Sequence, residues 1–170
     1  MSEQNINNIT FKIEDEINNK LSGDMQKNAL DFVAYLRGLG MTSHAEHSSA
    51  FEYGGKWACI LIIFDNGWMV CDNPLTKYYD DFPVDAKLKE FALAHVKTCD
   101  KCGGTNGCGH EDQGKNKMIF GKYHENLCSS EVHFFNPDAE AVENLKILMK
   151  LWKQDQKKDN TRSSEENGIG

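Results

Sequence analysis

Four cysteines in the second half of the chain are the residues whose types and spacing most clearly indicate chemistry. They are Cys99, Cys102, Cys108 and Cys128, in the pattern C-x2-C-x5-C-x19-C. Four thiolates complete the tetrahedral shell of a zinc ion, and a closed shell of this kind is usually structural. Glycines between and beside these cysteines let the loop backbone approach the thiolates closely. The sequence therefore predicts one structural zinc ion per chain.

Two histidines near the cysteines are alternative ligands. His95 lies four residues before Cys99, so the two share one face if the preceding helix continues. His110 follows Cys108 by two residues. Either imidazole could replace a cysteine at the metal. The other interpretations are a core-facing His95 with one ring nitrogen satisfied and a solvated His110 in a loop.

Reduced structural thiols and a redox pair are the alternatives to zinc. A reactive cysteine in a C-x2-C motif needs a stabilised thiolate, which a helix N-terminus provides. Cys99 instead follows a predicted helix, whose C-terminal end carries negative partial charge and disfavours a thiolate. A thioredoxin-like oxidoreductase is therefore disfavoured. Cys59 and Cys71 are predicted to point to opposite faces of a hairpin, as small buried residues rather than a disulfide.

A set of aromatic residues in the first half of the chain provides a second candidate site. A single sheet cannot bury both of its faces, so some of these side chains face outward or into a cleft. A small-molecule pocket between the sheet and the connection 73–83 is one interpretation, and core or edge packing is the other. The residues of this predicted pocket are Tyr53, Trp57, Trp68, Tyr78 and Tyr79.

Composition limits the functions that the chain could have. It has 170 residues, of which 39% are hydrophobic and 26% charged, which fits one globular domain. The formal net charge is -7, and nucleic-acid binding needs clustered lysine and arginine, so we expect no nucleic-acid partner. No segment approaches the ~20 apolar residues of a membrane span, and the start of the chain lacks signal-peptide character. We therefore expect a cytoplasmic protein with reduced thiols and no membrane partner.

The hydrophobic pattern predicts an α+β fold. Residues 1–10 are expected to be flexible, 11–157 to form a single domain with a cysteine-rich insertion at about 99–128, and 158–170 to form a disordered tail. The expected architecture is an antiparallel sheet built from two hairpins, with helices packed on one face. The predicted helices cover 11–21, 25–38 and 85–98 and begin again at Asn136-Pro137; the predicted strands cover 57–64, 68–72, 117–121 and 131–135.

The last third of the chain resembles a group of small bacterial α+β proteins. The resemblance rests on the segment from Cys99 through Ile119-Phe-Gly-Lys122 to Cys128, followed by Asn136-Pro-Asp138 and an amphipathic helix. Those proteins carry a cysteine-rich loop before a Phe-Gly-Lys strand. The hairpin–helix order is also similar in topology to the effector-binding domains of bacterial regulators, which bind small molecules. Neither resemblance implies a catalytic residue.

These observations favour a bacterial, non-enzymatic module with a structural zinc site that binds a small molecule or another protein. The alternative is a metal-dependent enzyme or a thiol/zinc redox sensor that uses an open zinc position. The number of cysteine ligands separates the two, because four thiolates leave no position for water. An exposed strand edge or the Tyr78-Tyr79 pair could also join two copies of the chain in a homodimer.

Overall fold

The structure, a computed structural model, describes residues 12–43, 49–72, 84–99 and 115–166. In these segments the chain forms helices and strands in the order α1 Ile13–Lys20, α2 Gly23–Gly38, β1 Thr42–Ser43, β2 Ala50–Tyr53, β3 Lys56–Phe64, β4 Gly67–Asp72, α3 Ala86–Ala94, β5 Val96–Thr98, β6 Lys115–Ile119, β7 Lys122–Phe135 and α4 Ala139–Glu166. The α+β prediction is confirmed. No helix within these residues has both the length and the apolar run needed to cross a bilayer.

All the described strands belong to one antiparallel sheet rather than to two hairpins, which corrects the sequence prediction. The strand order is β1-β2-β3-β4-β7-β5, and β6 pairs with β7 as well. The long strand β7 explains the difference. Its C-terminal end pairs with β4, while its N-terminal part pairs with β6 and lies beside β5. The two predicted hairpins are therefore fused through β4 and β7.

The turn between β3 and β4 differs by one position from the predicted one. The sequence predicts Asn66-Gly67 as the loop, whereas Phe64 pairs with Gly67 and the loop is Asp65-Asn66. Asn66 adopts a φ of 64°, which asparagine tolerates better than most residues. Gly67 instead lies in the strand against Asn136, whose Oδ1 would be 3.2 Å from an added Cβ.

The prediction for the first two cysteines is confirmed. Cys71 pairs with Ile60, so Cys59 lies on the opposite face of the sheet. Both cysteines are buried, and neither forms a disulfide bond. They serve as small apolar residues on either side of the sheet.

The core lies between the sheet and the helices. Leu61 and Ile63 of β3 are buried, whereas the alternating Ile62 and Phe64 are 36% and 41% exposed. This alternation shows that one sheet face carries the core. On that face, Phe32 of α2 lies with its ring centroid 6.4 Å from the ring of Trp68. Helix α4 adds the buried residues Val142, Leu145, Leu148, Met149 and Trp152.

Two helix boundaries differ from the sequence prediction. Helix α3 ends at Ala94, and Val96–Thr98 pairs with β7 although the sequence predicts a helix through residue 98. Valine and threonine are β-branched, so pairing with a neighbouring strand outweighs their weak helix preference. Helix α4 continues to Glu166, past residue 157 where the sequence predicts a disordered tail. Nucleation is the costly step in helix formation, so a helix already nucleated in the packed core can extend into polar sequence.

Candidate functional site

Asn126 joins the two ends of the cysteine-rich segment. The Cys99 backbone N–H donates to the Asn126 carbonyl at 2.6 Å. The Asn126 side-chain Nδ2 donates to the Cys99 carbonyl at 2.9 Å, and the Asn126 N–H donates to Asn116 Oδ1 at 3.0 Å. Residues 99 and 116 flank the segment that carries the other predicted ligands, so one asparagine holds both ends of that segment against β7.

Cys128 lies in strand β7, two residues after Asn126, and not in a loop between two strands as the sequence predicts. Thr98 of β5 and Lys115 of β6 both pair with Leu127, from opposite sides of β7. The β5 register then shifts, because Val96 pairs with Val132. Cys128 therefore lies in the irregular stretch of β7, beside the strand that leads into Cys99. Bulges of this kind often redirect side chains near functional sites.

The predicted metal ligands are only partly covered by the structure. Cys99 is half-buried and Cys128 is buried, and both are free. Cys102, Cys108 and His110 lie outside the described residues. Among the residues that are described, no group of three or more histidine, cysteine, aspartate or glutamate side chains is arranged to hold a metal ion. The four-cysteine zinc site therefore stays a prediction.

His95 belongs to an aromatic cluster at the C-terminal end of α3. Its Nδ1 lies 2.7 Å from the carbonyl of Phe91. Its ring centroid lies 4.9 Å from that of Phe91 and 4.5 Å from that of Phe134. These contacts agree with the interpretation of His95 as a core-facing histidine with one ring nitrogen satisfied. As a metal ligand His95 would have only Nε2 to offer, because Nδ1 is occupied.

The predicted aromatic pocket is not assembled by the described residues. Trp68 is fully buried in the core, so it does not line an open pocket. Trp57 is 39% exposed, and the ring of Tyr53 is covered by Lys153, whose Nζ lies 4.8 Å from the ring centroid. Tyr78 and Tyr79 lie outside the described residues. The connection 73–83, which would form the other wall, also lies outside the described residues, so the aromatic pocket stays a prediction, although Trp68 is buried in the core.

A different cleft forms between α3, the end of β7 and the start of α4. We call it the α3–α4 cleft, and its volume is about 560 Å³. Apolar and polar side chains both line it. The lining residues are Lys87, Glu90, Phe91, Ala94, His95, Phe134, Phe135, Asn136, Pro137, Asp138, Glu140, Ala141 and Asn144.

Two helix caps and one side-chain hydrogen bond to β4 position the walls of this cleft. Asp85 caps α3 by accepting from the Leu88 N–H at 2.8 Å. Asp138 caps α4 in the same way, accepting from the Ala141 N–H at 2.8 Å. The sequence predicts Asn136 as this cap. Asn136 instead adopts a φ of 42° and accepts from the Trp68 N–H at 2.8 Å, which fixes the β7–α4 junction to β4.

Charged groups lie at the rim of the cleft. Lys87 Nζ and Glu140 Oε1 form an ion pair at 2.6 Å, with both side chains well exposed. The hydrogen bond that Lys87 donates to Glu140 raises the pKa of Lys87. The pair links α3 to the first turn of α4. Because an ion pair this exposed is screened by solvent, it contributes little to holding the two helices together.

The α3–α4 cleft is not predicted from the sequence, although its parts are visible there. Phe91 and His95 have the i, i+4 spacing of one helix face, and Phe134 precedes the Asn136-Pro137 helix start. The two segments are about forty residues apart. Only the pairing of β5 with β7 brings them together, since the His133 N–H donates to the His95 carbonyl at 3.0 Å.

Comparisons with protein families, with curated proteins and with solved structures give no match to this chain.

Proposed function

We propose that this protein is a non-enzymatic module that binds a small molecule in the α3–α4 cleft. The supporting observation is the cleft itself, with its volume of about 560 Å³ and its mixed lining. Binding sites for small molecules have volumes of roughly 300–1,000 Å³ and combine apolar walls with a few polar groups. Phe91, Phe134 and Phe135 supply the apolar surface, and His95 and Asn144 supply polar atoms.

The aromatic packing at the base of the cleft supports ligand binding. The Phe134 ring is 1% exposed and stacks on Phe91 with a centroid distance of 5.2 Å. The half-buried ring of Phe91, held against the buried Phe134, is the rigid aromatic surface that meets a ligand, so little side-chain freedom is lost on binding.

Ligand-observed NMR with a fragment library tests this proposal. Ala94 lines the cleft at the end of α3, so Ala94→Trp fills part of it. Ala86 is exposed at the start of the same helix and outside the cleft, so Ala86→Trp is the matched control. We expect fragments that bind the wild type and Ala86→Trp, and that lose binding in Ala94→Trp. Fragments that bind all three proteins equally, or no fragment binding at all, would contradict the proposal.

We propose separately that Cys99, Cys102, Cys108 and Cys128 bind one structural zinc ion. The zinc proposal is supported by the two hydrogen bonds between Asn126 and Cys99. They hold Cys99, where the cysteine-rich segment begins, beside a residue of β7 that lies two positions before Cys128. Closing a segment against a strand lowers the entropic cost of gathering its ligands. Four thiolates would satisfy zinc completely.

Elemental mass spectrometry on protein purified without added metal tests the zinc proposal. We expect about one zinc per chain, lost in Cys99→Ser and in Cys128→Ser. Cys71→Ser is the control, because Cys71 lies in β4 among the buried residues. Zinc retained in one of the two ligand variants would indicate an incomplete cysteine shell. That result would favour the metal-dependent enzyme or redox-sensor alternative. Metal-free reduced protein would refute zinc altogether.

A further inference from the structure

We propose that the ligand of the α3–α4 cleft is a small, flat molecule that carries a positive charge and an N–H donor, such as an aromatic amine or a protonated heteroaromatic base. This inference rests on the proposed binding function and specifies the chemistry that the cleft recognises. Three independent features of the lining support it: the aromatic cluster, the hydrogen-bond role of His95 and the balance of charge at the rim.

The aromatic cluster favours a flat and cationic occupant. The rings of Phe91 and Phe134 are nearly parallel, at 19°, and the ring of His95 packs against both of them. Phe134 itself is 1% exposed, so the half-buried rings of Phe91 and His95 present the aromatic surface to a ligand. Phe135, the next residue of β7, also lines the cleft, is 64% exposed and stacks on Phe64 on the other face of the sheet. Aromatic faces carry negative charge density, so they attract both flat rings and cations placed above them.

His95 offers a hydrogen-bond acceptor to the ligand. The carbonyl of Phe91 can only accept, so the Nδ1 atom 2.7 Å away carries the proton. In a neutral imidazole the other nitrogen, Nε2, is then unprotonated and accepts a hydrogen bond. A ligand that donates an N–H complements this atom, whereas a carboxylate or phosphate oxygen does not.

The charged groups that line the cleft are predominantly negative. They comprise the carboxylates of Glu90, Asp138 and Glu140 and the ammonium of Lys87. Lys87 is already bound to Glu140 at 2.6 Å. The positive end of the α4 dipole also faces this region, but Asp138 occupies it through the Ala141 N–H. Glu90 is exposed and so stays available to a cation.

Isothermal titration of the full chain with three indole probes tests the inference. Tryptamine is cationic, 3-methylindole is neutral and indole-3-acetate is anionic, while all three share one ring. We expect tryptamine to bind most tightly and indole-3-acetate most weakly. Glu90→Gln should weaken tryptamine binding about two- to fivefold, the range for one exposed ion pair, and leave 3-methylindole unchanged. Glu125→Gln removes an exposed charge on β7 outside the cleft lining and is the control.

The outcomes separate this inference from the proposed function. Indole-3-acetate binding as tightly as tryptamine, or an equal loss of tryptamine in Glu90→Gln and Glu125→Gln, would overturn the cationic ligand class. So would no binding of any of the three probes. In each of these cases, fragments that Ala94→Trp excludes would still uphold a binding cleft. The proposed function itself fails if every fragment that binds the wild type also binds Ala94→Trp, or if no fragment binds the wild type.

Discussion

Asn136 fixes the junction between β7 and α4, and its substitution is the sharpest test of the structure. Its Oδ1 accepts from the Trp68 N–H at 2.8 Å, and its own N–H donates to the Trp68 carbonyl at 2.8 Å. Its φ is 42°, in the left-handed region. The side-chain hydrogen bond and the left-handed backbone conformation therefore contribute separately to the free energy of unfolding, and different substitutions test each contribution.

Three variants of Asn136 should rank in a defined order of stability. Asn136→Asp keeps an acceptor for the Trp68 N–H and tolerates the left-handed region, so its free energy of unfolding should stay within about 0.5 kcal/mol of wild type. Asn136→Gly leaves that N–H without its partner, at a cost of about 2 kcal/mol. Asn136→Ala adds backbone strain of about 1 kcal/mol, for a total of about 3 kcal/mol.

Urea denaturation followed by circular dichroism at 222 nm measures these differences. The experiment should be run at about 0.15 M salt, so that the extra carboxylate of Asn136→Asp is screened from its acidic neighbours. Equal slopes of free energy against urea concentration would show that the variants unfold in the same transition. An Asp variant as unstable as the Ala variant, or an Ala variant as stable as the Gly variant, would refute this account of the junction.

Three further predictions concern the core, an ion pair and the buried cysteines. Phe134→Ala should lower the free energy of unfolding by about 3–5 kcal/mol, measured by urea denaturation, because this ring is 1% exposed. Arg37 donates to both carboxylate oxygens of Glu14 and lowers the pKa of Glu14. The pair therefore stabilises the fold at pH values above the pKa that Glu14 has in the unfolded chain. This stabilisation is lost as the pH falls through the lower pKa that Glu14 has in the folded protein. Glu14→Gln should therefore cost about 0.5 kcal/mol at pH 7, discounted for solvent exposure, and progressively less as the pH falls through the folded pKa of Glu14. Mild oxidation should yield no disulfide between Cys59 and Cys71 in peptide mass maps of the native protein, since they lie on opposite faces of the sheet; a cross-linked peptide would show that the β3–β4 register is wrong.

The sequence predicts the local elements well, because local rules decide them. The spacing of Ile13 and Ile17 indicates α1, and both residues are buried. The Asn66-Gly67 pair indicates the β3–β4 hairpin, with an error of one position in the turn. Periodicity and turn chemistry act over a few residues, so these features can be derived without knowing the rest of the chain.

The sequence identifies residues of the candidate site but does not predict how the fold brings them together. The sequence identifies the cysteines, and it identifies His95 as a histidine near a helix end. It does not reveal that Asn126 bonds to Cys99 across twenty-seven residues. Nor does it reveal that Trp68 faces the core, because the inward face of β4 depends on which strands and helices surround it.

Only the tertiary structure shows that the α3–α4 cleft forms and that the strands belong to one sheet. Both depend on β7, which pairs with β4 at one end and with β5 and β6 at the other. The pairing of Val96 with Val132, next to His95, sets which residues of α3 meet Phe134. Register between distant strands comes from the combined packing of many side chains, and no local pattern encodes it. The sequence by itself determined the elements and the chemistry they carry, and long-range strand pairing determined which of those groups share a cleft.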